Sequence, residues 1–155
     1  MERRIVSNAF LYTADTYKTD EVLVFTIIPN DYLKQSELGQ RKLLMDMYDS
    51  KVYLEPLVAK GDKYWIGWSF DNNRYKREGT VFTFRSLLDN GLYTDSNPNF
   101  QAVNEDGRSI HGSYGGGGST YTYGFDISKE NFNKSKRINI RLEGFNLMHY
   151  KLRLF

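Results

Sequence analysis

The stretch Lys63-Tyr64-Trp65-Ile66-Gly67-Trp68-Ser69-Phe70-Asp71 decides the fold class. Tyr64, Ile66, Trp68 and Phe70 fall on every second position, with Lys63, Gly67, Ser69 and Asp71 between them. A helix turns by about 100° per residue and would scatter these aromatics around its surface, whereas a strand sends alternate side chains to opposite faces. The segment therefore reads as a half-buried β-strand. Trp65 breaks the pattern. A large aromatic on an otherwise polar face has to be covered by a second sheet, a loop or another chain.

The same period of two recurs on the C-terminal side. Thr80, Phe82 and Phe84 alternate with Val81, Thr83 and Arg85, so that 63–86 reads as an antiparallel hairpin with a long loop over Asp71-Asn72-Asn73 and Arg74-Tyr75-Lys76-Arg77. Tyr121, Tyr123, Phe125 and Ile127 form a further set, as do Ile138, Ile140 and Leu142, and then Met148, Tyr150, Leu152 and Leu154. These predict three half-buried strands, joined by a helical turn over Ser128–Phe132 and a turn at Gly144-Phe145-Asn146. Between Leu88 and Gly118 turn formers dominate, leaving room only for short strands around 99–103 and 108–111.

Toward the N-terminus, residues 4–12 and 21–28 read as strands. In the second, both alternating sets, Val22/Val24/Ile28 and Leu23/Phe25/Ile27, are apolar, which predicts a central strand covered on both faces and ended by Pro29-Asn30. Asp31–Leu38 has room for two helical turns capped by Asn30 before Gly39. Leu43–Tyr48 fits helical spacing poorly and can pair across Asp49-Ser50 with Val52-Tyr53-Leu54, so helix and hairpin both stay open there. The expected fold is a single all-β domain over 1–155, a mainly antiparallel β-sandwich of jelly-roll or Ig-like kind with one or two short helices.

Composition agrees. Tyr and Phe number 12 and 10 in 155 residues, a bias toward pleated sheets, and the apolar share of 40% still supplies a core. The absence of cysteine excludes disulfides, thiolate metal sites and cysteine nucleophiles. A net charge of +2 marks neither a nucleic-acid nor a membrane-surface binder. Met1–Asn8 lacks the apolar run of a signal peptide, and no apolar stretch approaches bilayer length, so a soluble chain that does not export itself is expected.

No catalytic, cofactor or metal constellation emerges. Asp106-Gly107-Arg108-Ser109-Ile110-His111 holds the residue types of a triad, but triads are set by tertiary geometry, and a turn followed by an edge strand accounts for the segment. His149 reads as solvated on the polar face of the last strand. Gly115–Gly118 and Ser119 lack the Lys-Ser/Thr and helix of a phosphate loop, and have the composition of a flexible linker, natural or engineered. The acidic turns Asn104–Gly107 and Asp89–Gly91 lack the spacing of a calcium loop, and the basic clusters 74–77 and 134–137 read as solvated turns.

The aromatics available to stack on a ligand or fill an interface are Trp65, Tyr75, Tyr93, Tyr114 and Tyr121. The expectation is a non-enzymatic structural or interaction protein, a subunit of a large assembly such as a virion capsid, neck or tail, whose partners are protein subunits. It would need no cofactor and bind neither nucleic acid nor membrane. A carbohydrate-binding module with stacking Trp and Tyr is the alternative, which adds a glycan partner; a hydrolase built on two carboxylates is the third reading.

Overall fold

The computed structural model describes residues 12–72, 77–88, 92–95, 99–117 and 122–153. In chain order the strands are β1 (Tyr12–Lys18), β2 (Leu23–Ile27), β3 (Lys42–Met47), β4 (Ser50–Leu54), β5 (Val58–Lys60), β6 (Lys63–Asp71), β7 (Glu78–Thr83), β8 (Arg85–Leu87), β9 (Tyr93–Asp95), β10 (Asn99–Asn104), β11 (Tyr114–Gly117), β12 (Thr122–Ser128), β13 (Ile138–Glu143) and β14 (Asn146–Leu152). The helices are α1 (Pro29–Glu37) and α2 (Lys129–Lys134). All pairings among these strands are antiparallel. The fold is all-β and sandwich-like.

The largest sheet runs β11-β12-β6-β4-β3, with β5 also on β6. Its inner face carries Ile66 and Trp68 from β6, Val52 and Leu54 from β4, and Phe125 and Ile127 from β12, all buried. A second sheet, β10-β13-β2, contributes Leu23, Ile27, Ala102, Ile138, Ile140 and Leu142 to the same core. Trp68 is fully buried at its centre, stacked on Phe100 at 5.9 Å and Tyr114 at 6.0 Å and edge-on to Phe25. Burying an indole this completely stabilises the fold by about 3 kcal/mol relative to leaving it in water. The third sheet, β1-β14-β7, adds Phe82 and Leu147 to that core from one face and buries Tyr12, Val81, Met148 and Tyr150 in a separate cluster on the other.

The segment 29–54 holds both of the elements left open by its sequence. Pro29 opens α1 at a position where its missing N–H costs nothing, and Gly39, at φ 65°, ends it. The cap falls at Ile28 rather than Asn30. Tyr32 is buried and its hydroxyl donates to the Glu55 carbonyl at 2.6 Å, which ties α1 to the end of β4. β3 and β4 then form the hairpin across Tyr48-Asp49. The turn over 128–132 is α2, with Asn131 N donating to Ser128 Oγ at 3.1 Å and Phe132 buried against Tyr64.

Several expectations are corrected. β6 and β7 do not form a hairpin: β6 is flanked by β12 on one edge and by β4 and β5 on the other, so the chain after Asp71 crosses to another sheet, where β7 pairs with β14. Gly144-Phe145 likewise joins strands of different sheets rather than a paired hairpin. β2 is an edge strand, not a central one, and Val24 is 61% exposed. The glycine run does not begin as a free linker, because Gly115, Gly116 and Gly117 pair with Gly124, Tyr123 and Thr122; Gly118 and Ser119 lie outside the described residues. Of the strand expected over 4–12 only Tyr12 is described, and it starts β1, which runs on to Lys18.

Candidate functional site

Period-two geometry builds a polar surface on β1, β14 and β7. Because Tyr12, Met148, Tyr150 and Val81 turn to one face and are buried there, the residues between them must face the other way. The register lines them up across the three strands, Thr13 beside Lys151 beside Glu78, and Asp15 beside His149 beside Thr80. Together they line a groove of about 390 Å³. The buried side is pinned as firmly: Tyr150 is pushed up to about 12 by burial first, then by the charge of Asp49 and by Tyr12.

The turn between β3 and β4 holds the outer edge of β7. Asp49 N donates to the Thr80 carbonyl at 2.9 Å, Thr80 N donates to Asp49 Oδ2 at 3.0 Å, and Phe82 N donates to Ser50 Oγ at 2.8 Å. Gly79 is required beneath this clamp, since a Cβ there would collide with the Asp49 carboxylate and lie 2.7 Å from the Tyr150 hydroxyl. The turn sets Tyr48 at φ 54°, a left-handed conformation that a bulky side chain rarely adopts, with its ring edge-on to Phe82 at 5.2 Å.

Within the groove, Thr80 Oγ1 and His149 Nδ1 are 2.6 Å apart, and Thr13 Oγ1 donates to the Lys151 carbonyl at 3.3 Å. Lys151 Nζ lies 3.5 Å from Glu78 Oε2, a solvated pair that contributes little to stability. Tyr17, 53% exposed, meets the His149 ring edge-on at 5.2 Å. The row Asp15–His149–Thr80 has the residue types of a proton relay, yet among the described residues no hydrogen bond joins Asp15 to His149. No cluster of three or more metal-ligating side chains occurs among the described residues.

Trp65 lies on the outer face of the largest sheet and is half-buried by its own chain. A Cβ at Gly124 would sit 2.9 Å from Trp65 Cε2, so the indole packs onto that glycine, while Lys60 Nζ stands 4.6 Å above the ring. Gly67, Gly124 and Gly115 are directly opposite one another on three adjacent strands and form a floor without side chains beside it. Ser69 Oγ donates to Glu55 on the same face, and Arg41 covers Tyr53 at 3.9 Å.

The other aromatics singled out from sequence are not gathered with Trp65. Tyr114 packs in the core against Trp68 and Phe100, its hydroxyl held well above the usual tyrosine range by burial and without a hydrogen-bond partner among the described residues. Tyr93 lies on β9 and its side chain is not described; Tyr75 and Tyr121 lie outside the described residues. In the segment 104–111, Asn104 Oδ1 accepts from Asp106 N and Arg108 N to make a turn, Ser109 bridges Val103, and His111 packs on Phe100 at 4.8 Å, so no relay forms. The groove residues of β1 escaped sequence reading because Thr13, Asp15 and Tyr17 alternate with the weakly apolar Ala14 and Thr16.

No family model matches the chain, and no curated protein or solved structure matches it.

Proposed function

We propose that the chain is a non-enzymatic structural subunit that assembles with other protein subunits, beginning with a second copy of itself, through the open edge of β2. One observation carries this reading: β2 has β13 as its sole strand partner among the described residues, while Val22, Val24 and Ile28 along it are 37%, 61% and 44% exposed. Soluble proteins blunt such edges with lysine, proline or a bulge. Leu23-Val24-Phe25-Thr26-Ile27 has none of these and no charge. Two copies related by a two-fold axis through Phe25 would place Val24 beside Thr26 and Leu23 beside Ile27, a pairing free of like-charge repulsion. Such a two-fold contact closes at a dimer, the unit that contacts through other surfaces would build into a virion capsid, neck or tail.

Light scattering on the wild type and on Val24→Lys tests it. The wild type is expected to show a mass above the 18.1 kDa of one chain, rising with concentration, and the variant a mass near 18.1 kDa with an unchanged circular dichroism spectrum. A wild type that stays monomeric, or a variant that associates as strongly, would overturn the reading.

A further inference from the structure

We propose that the groove on β1, β14 and β7 binds an uncharged saccharide, with Asp15 and His149 as hydrogen-bonding partners of its hydroxyls and Tyr17 as its stacking surface. The inference stands apart from self-association through β2. The groove, at about 390 Å³, falls within the size range of small-ligand sites.

Its chemistry selects the ligand. Asp15 and Glu78 would repel a phosphate or an acidic peptide, and among the described residues no cluster of three metal-ligating side chains gathers here to hold a metal cation. The Glu78–Lys151 pair leaves the floor close to neutral. Carboxylates, ammonium, imidazole and the hydroxyls of Thr13 and Thr80 alternate across adjacent strands, so donors and acceptors lie side by side at strand spacing. A polyhydroxylated ring, whose every hydroxyl both donates and accepts, satisfies such a mixture; a ligand of one charge does not. Asp15 makes no hydrogen bond or ion pair among the described residues and has its acceptor capacity free, and the Thr80 contact at Nδ1 leaves Nε2 of His149 for a ligand.

The aromatic component is in place. Tyr17 occupies the next position of the groove face of β1 and touches His149, and Tyr48, 47% exposed, covers Phe82 on the β7 side. By register Tyr17, Leu147 and Phe82 form the row next to Asp15, His149 and Thr80, so Tyr17 stands beside the lining residues and offers a ring against which a sugar's C–H face can lie. Tyr48 is held over Phe82 in a left-handed backbone conformation that glycine or asparagine would adopt with less strain.

The test is an array of neutral and anionic oligosaccharides built from hexoses and N-acetylhexosamines, followed by calorimetric titration of the best-retained neutral one. Wild type is expected to retain neutral glycans, and Asp15→Asn and Tyr17→Ala each to lose about tenfold or more in affinity with an unchanged melting temperature. Trp65→Ala, on another sheet, should bind as wild type. No retention of any neutral glycan, a preference for anionic ones, or binding that survives both groove substitutions but fails in Trp65→Ala would each overturn the assignment.

Discussion

Replacing Gly124 by alanine should cost far more than replacing Gly115, although the two glycines are cross-strand neighbours on one face. A Cβ at Gly124 would collide with the Ile66 carbonyl oxygen and lie 2.8 Å from Gly67 Cα and 2.9 Å from Trp65 Cε2. Two of these three atoms are backbone of β6, held by a ladder that runs from Thr122 opposite Ser69 to Ser128 opposite Lys63, and they cannot rotate away. Relief requires β6 and β12 to separate. Overpacking of this kind costs about 1–3 kcal/mol, a weakened ladder hydrogen bond adds about 1 kcal/mol, and the lower unfolded-state entropy of alanine returns about 0.4–1 kcal/mol. The net loss is about 1–3.6 kcal/mol. At Gly115 nothing lies within 4 Å of the added methyl, so only the entropic gain remains, and Gly115→Ala should be stabilised by up to about 1 kcal/mol. Urea unfolding followed by far-ultraviolet circular dichroism measures both, with an unchanged denaturant slope. A Gly124→Ala variant within about 0.5 kcal/mol of wild type, or a Gly115→Ala variant as damaged as Gly124→Ala, would refute the close approach of these strands.

Three further outcomes follow from the core. Trp68→Ala removes a fully buried ring and should cost about 3–5 kcal/mol, whereas Trp65→Ala, half-buried beneath Lys60, should cost about half as much; thermal unfolding separates them by several degrees. Tyr114→Phe deletes a buried hydroxyl that has no partner among the described residues, so it should leave stability unchanged or raise it by about 1 kcal/mol in the same urea assay. Tyr150 is raised by burial to about 12 in the fold from about 10 when unfolded, and Tyr32 and Tyr114 are raised as well, so the folded state binds more protons than the unfolded state across that window. Stability should therefore hold below about pH 10 and fall as the pH climbs through 12, and an alkaline titration followed by circular dichroism should show a shallower fall in Tyr114→Phe.

What could be read in the sequence was whatever a single strand records about its own two faces. Tyr64, Ile66, Trp68 and Phe70 announced a buried face and are at the core, and Ile138, Ile140 and Leu142 did the same. The helical turn over Ser128–Phe132 and the stop at Gly39 were legible because such signals are local, whereas the cap of α1 falls at Ile28, which no capping side chain marks. Pairing was not, since nothing in 63–86 says that β6 will take Phe125 opposite Ile66 while β7 takes Met148 opposite Val81. Nor could alternation distinguish a central strand from an edge strand whose exposed residues are Val22 and Val24, because both read as apolar on two faces. The groove was hidden for the same reason: Asp15, Thr80 and His149 come from three distant segments and acquire a relation only through the register.

The edge of β2 is the centre of the functional account, and amide hydrogen exchange measured at rising protein concentration tests it most directly. If two copies pair along β2, the backbone N–H groups of Leu23–Ile27 that do not face β13 should exchange quickly in dilute protein and become protected as the mass rises. Exchange over 23–27 that stays fast while the mass rises, or protection that appears at another strand instead, would contradict it.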